Sequence, residues 1–160
     1  MWFIINFFQI FSIALFTVFT VILIILWPLN WIYWYGRKIW GPFCIFLAGG
    51  KVVHHGRENI QKDKNYIFVA NHSSYADIPV LFTALNRDIH FIAKQELSKV
   101  PFLGWIMAKM QMVFIDRTNK QKSYSGVKTI MKQLSTGFDI AAFPEGTRSK
   151  DGTMTRFKKG

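Results

Sequence analysis

From Trp2 to Trp27 the chain is apolar almost without a break, its polar side chains being Asn6, Gln9, Ser12, Thr17 and Thr20. Wound as a helix, that stretch measures roughly 39 Å, enough to cross a hydrocarbon core of ~30 Å with some tilt. It lacks the basic start and the small-residue cleavage site of a secretory signal, and it is longer than one. Pro28 interrupts, and Asn30–Phe46 forms a second apolar stretch rich in aromatics. Trp27, Trp31, Tyr33, Trp34, Tyr35 and Trp40 suit the level of lipid headgroups, where amphipathic rings settle. Together the two stretches predict a two-helix membrane anchor over residues 1–48. Hydropathy leaves open whether the first helix spans the bilayer or the pair dips into one leaflet.

Gly49-Gly50 opens a second part, residues 49–160, in which the pattern alternates. Short β-like runs fall at Lys51–His54, Tyr66–Ala70, His90–Ala93, Met112–Ile115 and Asp139–Phe143. Between them lie helix-like stretches around Ile78–Leu85, Phe102–Lys109 and Lys122–Leu134. Tyr66–Ala70 and Ile140–Phe143 are continuous apolar runs, the pattern of central strands buried on both faces. The order is that of an α/β fold, in which ligands sit at the carboxyl ends of strands. No internal repeat or low-complexity segment is present.

Composition sharpens this picture. Hydrophobic residues are 51% and aromatics 17% of the 160 residues, which favours a membrane or lipid partner. The first 36 residues carry no Lys, Arg, Asp or Glu, so the net charge of +11 belongs wholly to residues 37–160. A basic domain behind an apolar leader suits anionic lipid surfaces and phosphorylated ligands. Nucleic acid is disfavoured, because the basic residues form no long run and no nucleic-acid-binding motif appears. Arg37 and Lys38, with Lys51 and Arg57 beyond, place the second part on the cytoplasmic side of a membrane. Cys44 is the single cysteine and lies in an apolar stretch, where it reads as a small hydrophobe.

Two segments carry candidate chemistry. The run Tyr66–Ala70 leads directly into Asn71-His72-Ser73-Ser74-Tyr75-Ala76-Asp77. On one regular helix His72 and Asp77 would lie about 140° apart and not touch readily. They meet if His72 occupies the turn and Asp77 caps the next helix, with Pro79 in the first helical turn. A histidine oriented by a carboxylate is suited to deprotonating a hydroxyl. From spacing alone, a structural histidine beside a capping aspartate is the commoner reading. The second segment is Phe143-Pro144-Glu145-Gly146-Thr147-Arg148-Ser149. Gly146 permits close backbone approach to an anion, Thr147 offers a hydroxyl, and Arg148 can grip a phosphate through two N–H bonds. An exposed turn with a Glu–Arg pair fits the same residues. Asp116-Arg117 and Lys94, each following a β-like run, are either phosphate contacts or surface charges.

Taken together, the segments resemble the 1-acylglycerol-3-phosphate acyltransferase family of glycerolipid acyltransferases. His72 to Asp77 matches the family's H-x-x-x-x-D block, and Lys94-Gln95-Glu96-Leu97 with Pro101 and Gly104 matches K-x-E-L…P-x-x-G. Phe114–Arg117 matches the block ending in arginine, and Phe143–Ser149 matches F-P-E-G-T-R-S without substitution. The resemblance runs from about Lys51 to Gly160. It implies a mixed sheet flanked by helices and a single-step acyl transfer. His72 would remove the proton from the sn-2 hydroxyl of lysophosphatidic acid, Asp77 would orient His72, and the product would be phosphatidic acid. Acyl-CoA or acyl carrier protein would bring the acyl group as co-substrate, with no bound cofactor. Glu145, Gly146, Thr147 and Arg148, with Arg117 and Lys94, would surround the acceptor phosphate. No metal is implied: His54, His55, His72 and His90 show no ligand spacing. Members of the family continue into a further strand and a proline-containing fourth block, so the sequence reads as C-terminally truncated. Glycerol 3-phosphate or another lysophospholipid as acceptor, and an inactive membrane-surface protein, are the alternatives.

Overall fold

The computed structural model describes residues 2–25, 27–116 and 120–158, without the side chains of residues 2–5, 23–25 and 120–123. It opens with α1, Trp2–Ile25. A second helical rod follows, built from α2 (Leu29–Tyr35), a π-helical turn (Gly36–Trp40) and α3 (Gly41–Leu47). Pro42 accounts for the π turn. It has no N–H to give the carbonyl four residues back, and its ring crowds that carbonyl, so the chain takes in one extra residue per turn. The Gly41 N–H reaches back to Gly36 O.

Two of the polar breaks in α1, Thr17 and Thr20, face this rod. Thr20 Oγ1 lies 2.9 Å from the Tyr35 hydroxyl, and Trp40 Nε1 donates to Thr17 Oγ1 at 3.2 Å. The rings of Phe16 and Phe43 pack alongside, 4.3 Å apart. Much of the described surface of α1 is uncovered: Phe7, Phe11, Leu15 and Phe19 are all more than half exposed. Taken over the described residues alone, no helix is long and apolar enough to cross a membrane, so the transmembrane expectation finds no support there.

The rod is one wall of the core of the α/β part. Ile32 and Tyr33 are 1% exposed and cluster with Phe82, Ile89, Phe91, Met110, Met112 and Ala141. The Tyr33 hydroxyl donates to Met110 O, which satisfies a polar group that burial would otherwise strand. Arg37, on the π turn, pairs with Asp88 just before the sheet's second strand.

That sheet contains β1 (Ile67–Val69), β2 (Ile89–Lys94), β3 (Val113–Ile115) and β4 (Asp139–Ala142), in the order β1-β4-β2-β3. All three pairings are parallel, with Val69 opposite Ala142, Phe91 opposite Ala141 and Lys94 opposite Ile115. The mixed sheet implied by resemblance is therefore parallel throughout the described strands. The connections are α4 (Asp77–Leu85), a 3-10 turn (Gln95–Lys99) with α5 (Leu103–Lys109), and α6 (Lys120–Ser135). Parallel neighbours need such crossovers, because a hairpin can only reverse direction.

Two strand expectations are corrected. Lys51–His54 forms no strand. Tyr66–Ala70 does contain a strand, but β1 lies at the sheet edge, with Ile67 and Val69 more than half exposed. Asp139–Ala142 is central as expected, its first three residues buried. Asp139 is a buried carboxylate paired with Arg87, and its Oδ1 accepts the Tyr66 N–H at 2.8 Å, joining β4 to the entry of β1.

The turn before α5 rests on Gly104. A Cβ there would meet Ser98 O at 2.2 Å and Leu97 O at 3.0 Å, both backbone atoms that cannot swing away. Gly104→Ala is therefore expected to destabilise the fold by about 1–3 kcal/mol. The check is a lower thermal midpoint in detergent relative to the parent chain.

Candidate active site

Because the four strands are parallel, their carboxyl ends all point the same way. β1 and β4 are neighbours, so the loops that leave them stand side by side: the His72 turn after β1 and residues 143–149 after β4. Lys94 ends β2, the next strand along. Arg117 follows β3 in sequence and lies outside the described residues.

His72 Nδ1 is 2.6 Å from Asp77 Oδ2. An ionised carboxylate only accepts, so the imidazole proton sits on Nδ1 and the neutral ring presents Nε2 as its basic atom. The same Asp77 oxygen accepts the N–H groups of Ser73 (2.8 Å) and Ser74 (3.0 Å), and Oδ1 accepts the Ser74 hydroxyl at 3.3 Å. This clamp modifies the sequence expectation in one respect. Ala76 occupies the cap position of α4, and Asp77 is the first helical residue, with its side chain turned back toward the histidine. A carboxylate in the first turn is also favoured by the helix dipole. The His72 ring lies against Phe143, centroids 4.2 Å apart and planes within 18°. Both His72 and Asp77 side chains are 19% exposed, so the ring is oriented yet open to a ligand.

The two loops are bonded to each other. Glu145 Oε1 accepts the His72 N–H at 2.6 Å, and Ser149 N–H donates to His72 O at 2.8 Å. Glu145 Oε2 accepts both the N–H and the hydroxyl of Thr155, at 2.8 and 2.7 Å. Those bonds favour the ionised form, and the Thr155 N–H foremost, then the His72 N–H, hold the Glu145 carboxyl below its ordinary range. Glu145 is 1% exposed. Its carboxylate lies inside the protein, tying three segments together. Gly146 has φ +73°, a left-handed conformation that glycine adopts without strain and that turns the loop outward. Thr147 and Arg148 follow on the surface.

The Arg148 guanidinium lies over the Tyr75 ring, 3.5 Å from its centroid. Lys94 Nζ pairs with Glu96 at 2.9 Å, both about 58% exposed. Among the described residues no group of three or more His, Cys, Asp or Glu side chains is placed to hold a metal. Thr155 and Tyr75 went unnoticed in the sequence. Thr155 stands ten residues from Glu145 with no local pattern linking them. Tyr75 occupies a spacer position of the H-x-x-x-x-D block, and an aromatic among Ser and Ala in an exposed turn is the signal that would have pointed to it.

Comparison with known proteins identifies the family to which the chain is similar. A sequence model of the acyltransferase family matches residues 51–160, which contain both loops. A chloroplastic 1-acyl-sn-glycerol-3-phosphate acyltransferase of Arabidopsis thaliana is 36% identical over 77% of this chain and 34% of its own length. The corresponding protein of Limnanthes douglasii is 30% identical over 96% of this chain and 56% of its own. The crystal structure of the 1-acyl-sn-glycerophosphate acyltransferase PlsC from Thermotoga maritima superposes with a TM-score of 0.71 at 31% identity. That match covers 97% of this chain and 63% of PlsC. The chain thus spans between a third and two thirds of the length of these relatives. With the family's sequence model matched over residues 51–160, more than half of its length, this chain belongs to the acyltransferase family.

Proposed function

We propose that the chain transfers an acyl group from a thioester, acyl-CoA or acyl carrier protein, to the sn-2 hydroxyl of lysophosphatidic acid, giving phosphatidic acid. The observation that carries the reading is the 2.6 Å contact of His72 Nδ1 with Asp77, which leaves Nε2 as the base. Nε2 takes the hydroxyl proton as the oxygen attacks the thioester carbonyl carbon. The C–S bond breaks, and the departing thiolate recovers the proton from the imidazolium. Asp77 stabilises that imidazolium and holds the ring tautomer.

Arg148, Thr147 and the Gly146 turn stand beside the histidine and are assigned to the acceptor phosphate, with Lys94, the last residue of β2, and Arg117, after β3 in sequence, as further cations. Glu145 is assigned a different part. With both oxygens held by Thr155 and the His72 backbone, it acts as a positioning residue for the histidine turn.

The acceptor is a lipid, and the uncovered side of α1 supplies an apolar surface to meet it. Trp27, Trp31 and Trp34, all exposed and ring to ring, suit the headgroup level. We infer that α1 and the rod anchor the chain to a membrane through these apolar and aromatic surfaces. The basic part would then rest on the cytoplasmic face of the membrane.

Three outcomes check these assignments. His72→Ala is expected to lower lysophosphatidic acid-dependent thioester consumption by about 10²–10⁴ while the chain stays membrane-bound; retained turnover would remove the general base. Glycerol 3-phosphate run in parallel tests the acceptor. Arg148→Ala is expected to raise the acceptor KM by about tenfold or more and to leave the thioester KM unchanged. For Glu145 the sign follows from its depressed pKa. The stability it contributes is full above pH 4.5, the ordinary carboxyl value, and is lost as pH falls through the lower folded value. Glu145→Gln should therefore melt below the parent at neutral pH, with the gap narrowing in acid. A gap constant from pH 7 to pH 3 would show that ionisation of Glu145 is irrelevant.

A further inference from the structure

We propose that Tyr75 is a specificity-determining residue that holds Arg148 ready for the acceptor phosphate and fixes its distance from the base. The inference rests on the reading of Arg148 as the phosphate contact. Tyr75 is 81% exposed, so its ring is not there to fill the core. Its outer face is occupied by the Arg148 guanidinium, 3.5 Å from the ring centroid. An arginine whose guanidinium carbon sits over an aromatic ring is held there by the ring's negative face, and its planar group still has N–H donors to offer an anion. The stack also restricts a long side chain that would otherwise lose its rotamer freedom on binding.

Position gives the contact its second consequence. Tyr75 lies between His72 and Asp77, inside the turn whose N–H groups clasp the Asp77 carboxylate. Arg148 lies on the other loop, one residue before the Ser149 N–H that donates to His72 O. The stack and that backbone bond are two separate ties between the base and the phosphate grip. The separation of Nε2 from the Arg148 fork is thereby set from both sides. A ligand that engages both must carry a hydroxyl and a phosphate together, as the lysophosphatidic acid of the proposed reaction does.

Binding rather than turnover tests this, so the result does not depend on the transfer proceeding. The dissociation constant for lysophosphatidic acid in mixed detergent micelles is measured on the full chain by calorimetry, with uncharged monoacylglycerol as the control lipid. Tyr75→Leu is expected to weaken lysophosphatidic acid binding by about three- to tenfold and to leave monoacylglycerol binding unchanged. Tyr75→Trp, which keeps an aromatic face, should bind as the parent does. In an Arg148→Ala background Tyr75→Leu should change nothing further, because its partner is gone. Parental binding by Tyr75→Leu, equal weakening by Tyr75→Trp, or an additive double variant would each overturn the inference while leaving the phosphate reading intact. If Arg148→Ala alone binds as tightly as the parent, the phosphate reading falls and the inference falls with it.

Discussion

Because β1 and β4 run parallel and side by side, with Val69 opposite Ala142, the chain must release its two candidate site loops at the same place. Had either strand run the other way, the histidine turn and the Arg148 loop would lie at opposite ends of the sheet. Everything else in the site refines that constraint. The Glu145 carboxylate bonds one loop to the other, the Ser149 N–H repeats the tie, and the Phe143 ring supports the imidazole from β4's side. His72 is thus carried by β1's loop but oriented partly by β4's.

Holding these loops requires burying charge, and the structure does so where each charge has partners. Glu145 has three donors within 2.8 Å, and Asp139, at the opposite end of the same strand, has Arg87 and the Tyr66 N–H. A buried carboxylate without such donors would be costly. Placed as they are, the two pin both ends of β4, the strand that sits between β1 and β2. The polar groups are therefore arranged to fix register and loop position, while the apolar cluster around Tyr33, Phe82 and Phe91 fills the space between rod and sheet.

Much of this was legible in the residues. The strand–loop junctions at Ala70–His72 and Ala142–Glu145 follow from apolar runs ending in polar turns, and α4, α5 and α6 begin and end within a few residues of where periodicity placed them. What failed was information that lies in neighbours rather than in local pattern. Ile67-Phe68-Val69 looks like a central strand because it is apolar on both faces, but pairing on one side only is decided by the sheet order. Asp77 looks like a cap because Pro79 follows, yet the Ser73 and Ser74 N–H groups and His72 draw its carboxylate backward. The inward turn of Glu145 depends on Thr155, whose arrival is a tertiary event. Tyr75 needs Arg148 from a segment more than seventy residues away to have any meaning.

The helical rod carries a consequence for how this protein can be handled. Its apolar surface divides by direction: Trp31 and Trp34 face outward, while Ile32 and Tyr33 are sealed against Phe82 and Met110. Cutting the chain at the Gly49-Gly50 pair to gain a water-soluble enzyme would remove one wall of the hydrophobic interior along with the greasy leader. The freed fragment would expose Phe82 and Phe91 and aggregate through them. Solubility has to be sought by recolouring the outward residues of the rod with polar side chains, leaving the inward ones in place.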